Sequence, residues 1–322
     1  MKKKDILINE SRIVAVVNAV NAARERRDYP FDSAALHPPE EKFVGWLKEH
    51  DDSVFATNAL FLLTTMVFAD NSETFFRIKL GNKSKFQENA WIFDVQKALS
   101  SPKTEEAATA YFTPGYNRVA IDDWRHNCQV ISDQYKGDIH NFFSECDDDA
   151  LKVVQVLENN AKVPGKPGLR RYGHKLARMF VGWTQLYGLH DFKNVDKIGI
   201  PVDFHVVALL RQTGGILFSD PTPKDIVGKE VVNPLMMRLC VENKWKPTTV
   251  SENLWQVGSK GCNNLEHQRC PIAHLCYRMM SREQLDTKGL FDPADTGRWL
   301  TRRERIKFRD GVVWLFDPNS AK

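Results

Sequence analysis

The chain has 322 residues, 42% of them apolar, with eight tryptophans, six cysteines and a formal charge of +4. That length supports one large domain or two modest ones, each with a real core, and the mild basicity permits nucleic-acid binding without requiring it. Six unevenly placed cysteines argue against a secreted disulfide framework, Met1-Lys2-Lys3-Lys4-Asp5 leads into no apolar signal run, and the longest near-apolar stretch, Ala59 to Ala69, is too short to cross a bilayer.

Taken in order, Ile6 to Arg27 repeats Ile13, Val16, Val17, Val20 and Ala23 at helical spacing until Pro30 stops it. Phe43 to Lys48 reads as a short helix. Ser53 to Phe68 reads as a strongly apolar one suited to the centre of a helical domain, and the polar loop Asp70-Asn71-Ser72 follows it. Tyr116 to Gly137 puts Trp124, Cys128, Ile131 and Tyr135 on one helical face and closes on a glycine. Cys146-Asp147-Asp148-Asp149 then places acidic residues at the start of a helix from Ala150 to Glu158, where the helix dipole favours them. Cys128 and Cys146, isolated on separate helices, read as inert thiols. Asn159 to Gly168 is a polar linker containing prolines and glycines. Only Val312 to Phe316 alternates like a strand, so the expected class is mainly α.

The most informative stretch runs from Leu169 to Val207. Gly173 can supply the positive φ of a tight turn, and the backbone N–H groups after it, at the start of a helix, can bind a phosphate. From His174 onward Leu176, Met179, Phe180, Trp183 and Tyr187 give that helix one buried face. Lys175 is its second residue, at the positive end of the dipole and among Arg170, Arg171 and Arg178. Such a setting eases loss of the ammonium proton, as an amine nucleophile needs. The plain alternative is a solvated lysine or a simple phosphate contact. Ile200-Pro201-Val202 runs extended into Asp203, which reads as the N-cap of a second apolar helix through Val206, Val207, Leu209 and Leu210, ended by Gly214-Gly215.

A second cluster follows about sixty residues on. Cys262, His267, Cys270 and Cys276 form a C-x4-H-x2-C-x5-C set on a loop. Thiolates packed this closely suit a soft metal, as an iron–sulfur cluster or a Cys3His zinc site, with Cys240 an alternative fourth ligand. A loop of free buried cysteines is the plain alternative. Beyond it, Arg298 to Arg309 interleaves six basic residues with Trp299 and Phe308, a pattern that fits either DNA phosphates or a solvated helix face.

Leu169-Arg170-Arg171-Tyr172-Gly173-His174-Lys175-Leu176-Ala177 resembles the L-P-G-V-G-x-K-T-A hairpin of the helix-hairpin-helix DNA glycosylases of the endonuclease III type. Val202-Asp203-Phe204-His205 resembles that superfamily's V-D-x-H helix start, and Gly258-x3-Cys262 with Cys270-Pro-x4-Cys276 resembles its cysteine-cluster loop. Arg171 stands where the hairpin's first glycine would be, and an insertion around Leu186 to Lys197 lengthens the interval between Lys175 and Asp203. His267 stands in place of the cluster's second cysteine.

The resemblance implies a six-helix barrel domain over residues 50–200 with its hairpin at 169–177. A terminal helical domain, from 1–49 and 201–322, would carry the metal loop at 262–276, with DNA bound in the cleft between the two. It makes Lys175 the Schiff-base lysine and Asp203 the catalytic aspartate. Arg171, Gly173, His174, His205, Lys260 and Arg269 become DNA contacts, and the metal centre is a 4Fe-4S cluster or zinc on Cys262, His267, Cys270 and Cys276. Asp70-Asn71-Ser72 occupies the position of the family's duplex-inserting loop, without its usual glutamine. The implied function is excision of a damaged or modified base from double-stranded DNA, with lyase activity at the abasic site. A monofunctional glycosylase and a non-catalytic DNA-binding protein of the same fold are the alternatives. The expected protein is an intracellular monomer with no membrane partner.

Overall fold

The computed structural model describes residues 6–33, 38–50, 52–67, 83–112, 118–159, 168–218, 227–262 and 269–276, with the backbone of 307–309 and 312–314. The chain is mainly helical. Strand β1 (Ile6–Ile8) leads into α1 (Glu10–Arg26), α2 (Pro39–Lys48), α3 (Ser53–Val67), α4 (Lys83–Asn89), α5 (Val95–Ser100) and α6 (Thr104–Phe112). Then come α7 (Arg118–Tyr135), α8 (Ile139–Glu145), α9 (Ala150–Glu158), α10 (His174–Leu186) and α11 (Phe204–Gln212). Strand β2 (Ile216–Phe218), α12 (Asn233–Glu242), α13 (Pro247–Gln256) and the strands β3 (Lys307–Arg309) and β4 (Val312–Trp314) complete the order.

These elements form two compact units. The terminal unit is Met1–His37 with Val202–Lys322, and the central unit is Pro38–Pro201. In the central unit α3 is the hub. It carries no charged residue, is buried from Ala56 to Val67, and packs against α2, α7, α8 and α10. Its polar side chains are satisfied locally: the hydroxyls of Thr57 and Thr64 donate to the carbonyls of Ser53 at 2.8 Å and Leu60 at 2.7 Å. Asn58 donates to the Gly137 carbonyl at 2.7 Å and accepts from the Ile139 N–H at 3.0 Å, tying the start of α8 to the hub.

In the terminal unit, α1 buries Ile13, Val16, Val17, Val20 and Ala23 and packs against α13, as does α11. The expected helix from Ile6 begins later. Ile6 to Ile8 is a strand paired antiparallel with β2, Ile6 opposite Phe218 and Ile8 opposite Ile216. The reason is local: Asn9 is extended and its side chain accepts the Arg12 N–H at 3.0 Å, so the helix is capped at Asn9. Val312–Trp314 is a strand, as its alternation suggests, paired with Lys307–Arg309.

Candidate nucleic-acid site

The hairpin is built from behind by α7. Asn127 holds the backbone of Arg170 from both sides, accepting its N–H at 2.7 Å and donating to its carbonyl at 3.1 Å, and also donates to the Thr65 hydroxyl at 3.1 Å. His126 Nε2 lies 3.0 Å from the Gly168 carbonyl. The carboxylate of Asp123, buried on the same side of α7, pairs with Arg170 at 3.3 Å and with Arg171. Tyr172 is fully buried, its ring stacked on Phe61 with centroids 4.4 Å apart and its hydroxyl donating to the Phe61 carbonyl. Burial holds that phenol well above its usual pKa.

The positive φ expected at Gly173 falls two residues earlier. Arg171 has φ 74°, whereas Gly173 is extended at φ −75° and ψ −176°. A side chain in the left-handed region costs about 1–2 kcal/mol. Here the ion pair with Asp123 anchors it, so the turn forms around an arginine where the resembled hairpin has glycine. The Gly173 N–H donates to the Arg171 carbonyl at 3.1 Å, and the Gly173 carbonyl accepts from Ala177 at 3.0 Å to open α10. A Cβ at Gly173 would meet nothing within 4 Å, so this point of the hairpin faces open space.

Gly173 is the N-cap of α10 and offers no side chain to its first N–H groups. Lys175 is half-buried in the first turn. The surplus of positive charge expected beside it is offset: Arg170 and Arg171 share Asp123, and Arg178 pairs with Glu158. Arg178 also donates to the Ile198 carbonyl at 2.7 Å and the His174 carbonyl at 3.0 Å, and burial pushes its guanidinium down to about 10. His174 Nδ1 lies 3.0 Å from the same Glu158 carboxylate. The inserted segment folds back onto the turn before α9. Phe192 is buried, Asn194 donates to Asp149 at 2.8 Å, His190 lies 3.1 Å from Asp148, and the Lys193 carbonyl accepts from Ala150 at 3.0 Å.

The start of α11 belongs to the terminal unit. Asp203 is extended and 8% exposed, and its Oδ1 accepts the N–H groups of His205 at 2.9 Å and Val206 at 3.1 Å. It is the N-cap that its position predicts. Two π-helical turns press on this first turn of the helix, and each does so through a glycine. In Gly228–Val232, a Cβ on Gly228 would lie 3.0 Å from Cγ1 of Val202; in Val257–Gly261, one on Gly258 would lie 3.0 Å from the His205 carbonyl oxygen. The Val202 side chain before Asp203 and the His205 backbone after it are thereby confined at close range. Lys260 is half-buried on the second of these turns.

Cys262 follows that turn, with its thiol 3.8 Å from the Gln212 side-chain oxygen, and Arg12 ties the far end of the loop by donating to the carbonyls of Leu275 at 2.6 Å and Thr213 at 2.8 Å. Among the described residues, Cys262, Cys270 and Cys276 form no disulfide. His267 lies outside the described residues. Among the described residues, no three His, Cys, Asp or Glu side chains are grouped to hold a metal ion. Cys240 is buried in α12, and burial pushes its thiol up to about 11. Burial likewise raises Cys128, and raises Cys146 to about 11, keeping both protonated near neutral pH. Arg269 is exposed, pairs with Asp32, and lies over the Tyr29 ring at 5.2 Å. Any phosphate it contacts competes with that carboxylate. The loop Asp70-Asn71-Ser72 lies outside the described residues, as do residues 298–306 of the basic tail.

No protein-family model matches the chain, and no curated protein matches it. Among the described residues, no helix is long and apolar enough to cross a membrane. Sequence reasoning missed Asp123, Asn127 and Glu158, which set the hairpin, and Gly228 and Phe204 at the start of α11, and it read Gly258 only as part of the cysteine loop, not as the glycine packed on His205. Asp123 and Asn127 lie four residues apart on α7, the spacing that aligns two side chains on one face; that is the signal that points to them.

Proposed function

We propose that this chain is a helix-hairpin-helix DNA glycosylase with Schiff-base lyase activity, acting on double-stranded DNA that carries a damaged or modified base. The observation that supports it most is the start of α10. A turn braced by α7 delivers a helix N-terminus whose N-cap is a glycine with no side chain, facing open space, with Lys175 in the first turn. Such a start is built to receive a phosphate. Asp203 supports the reading from the terminal unit as a buried carboxylate held in one orientation by two backbone N–H groups.

In this mechanism the nucleotide is flipped from the stack and the bond from C1′ to the base breaks. The base leaves with the bonding electrons and takes up a proton, while Asp203 stabilises positive charge on the sugar. Lys175 Nζ, once deprotonated, forms a bond to C1′ and gives a Schiff base on ring opening. Loss of a C2′ proton then expels the 3′ phosphate, and water releases Lys175 from the unsaturated aldehyde. No step passes through a metal. The loop thiols Cys262, Cys270 and Cys276 with His267 have the donor chemistry of an iron–sulfur or zinc site, and any such centre has a structural role here.

A monofunctional glycosylase is the second reading, favoured by the carboxylates that offset Arg170, Arg171 and Arg178. Those pairs engage the arginine heads near Lys175 and leave a phosphate contact as its role in this reading. Borohydride trapping on duplex DNA with an abasic site separates the two readings. Under the bifunctional reading the wild type forms a covalent adduct and Lys175→Ala forms none; strand cleavage undiminished in Lys175→Ala would sink it. Base release without any adduct, lost in Asp203→Asn, supports the monofunctional reading.

A further inference from the structure

Several large hydrophobic side chains are exposed among the described residues, and Phe204 is the aromatic one, at 59% exposure. Its neighbours along the chain are placed very differently. Asp203 before it is 8% exposed, and Val206 and Val207 after it are fully buried. A phenylalanine left in water forfeits the stabilisation that burial would give it, and no packing among the described residues explains its position. Its ring is nevertheless ordered against a partner, with its centroid 3.9 Å from that of His205 and the planes tilted by 36°. The imidazole covers part of the ring and the remainder meets solvent.

We propose that Phe204, backed by His205, is a stacking surface for an unpaired or extruded nucleobase. The inference rests on the DNA glycosylase reading and deepens it. Phe204 is bonded to Asp203, so a sugar that reaches the Asp203 carboxylate brings its own base, or the base beside it, within reach of the ring. The platform is rigid. Asp203 caps the helix that carries it, and the Gly258 turn sits against the carbonyl of His205, the residue whose ring backs it. A pre-set aromatic ring loses little entropy on binding. Every base presents a π-face, so the surface selects an unpaired base over a stacked one without reading which base it is.

The test measures binding of a duplex carrying a tetrahydrofuran abasic-site analogue, which is not cleaved, at several salt concentrations. The wild type is compared with Phe204→Ala, Phe204→Leu and Phe204→Trp. The expected result is an affinity loss of about tenfold for Ala, a comparable loss for Leu, and retention for Trp. The salt dependence of binding is unchanged throughout, because no phosphate contact is removed. A 2-aminopurine beside the tetrahydrofuran in the same strand should be quenched by the wild type and by Trp but not by Ala. Melting temperatures close to the wild type confirm that an exposed residue was changed. Binding by Phe204→Ala equal to the wild type overturns the stacking role while leaving the glycosylase reading intact. Full recovery with Leu overturns it in favour of simple apolar contact. A wild type that binds no DNA overturns both.

Discussion

The starts of α10 and α11 are both helix N-termini flanked by extended backbone, yet they are made in opposite ways. α10 begins at a glycine that gives its N–H groups no side chain, and the work of placing it falls to residues behind the turn: Asp123, His126 and Asn127 on α7. α11 begins at a carboxylate that takes two of its own N–H groups, with Gly228 of one neighbouring turn against the Val202 side chain and Gly258 of another against the His205 backbone. The first start is supported at a distance and open at the tip. The second is filled at the tip and confined at the flanks. A ligand that needs backbone N–H groups fits the first, whereas the second presents a fixed carboxylate and the aromatic ring beside it.

The largest effect expected from breaking this contrast is at Asp123. Asp123→Ala leaves Arg171 half-buried and in the left-handed region without its carboxylate, and urea unfolding should show a loss of about 2–4 kcal/mol. A loss below about 1 kcal/mol would mean that Asn127 alone secures the turn. A paired substitution sharpens the contrast. Gly258→Ala drives a Cβ to 3.0 Å from a backbone oxygen and should cost about 1–3 kcal/mol. Gly173→Ala, with nothing within 4 Å of its Cβ, should stay within about 0.5 kcal/mol by the same melts. The cap has an intermediate stability effect. Asp203→Ala should lose about 1 kcal/mol while Asp203→Asn, which keeps an acceptor, loses only a few tenths. If the proposed chemistry is right both abolish base release, so activity and stability separate at this residue.

The two starts were not equally legible in the sequence. Asp203 could be read as a cap because a carboxylate after Ile200-Pro201-Val202 and before an apolar helical run has one local explanation, and its hydrogen bonds are local too. The spacing of apolar residues likewise placed α7 and α10, since burial of one face is written in the residues themselves, while a near-continuous apolar run placed α3 and the acidic residues before Ala150 placed α9. The hairpin hid its logic. Local rules send a positive φ to glycine, and the arginine that adopts it is held by Asp123, which lies 48 residues earlier in the chain. The close approaches of Gly228 to Val202 and of Gly258 to His205 are likewise invisible until distant segments meet. Strands β1 and β2 were missed because three residues are too few to show alternation, and their partner was far away.

That last pairing has a consequence for synthesis. β1 closes on β2, and α1 packs on α13, so the first part of the terminal unit gains its partners only after the central unit has been made. At ~5–20 residues per second the interval is roughly ten to forty-five seconds. For that time the face of Ile13, Val16, Val17 and Val20 has no native cover, while Pro38–Pro201 is already complete as a continuous segment able to fold. The ribosome therefore delivers the hairpin and Lys175 in a finished unit before the residues that surround Asp203, and the nascent N-terminus is where a chaperone would find its substrate.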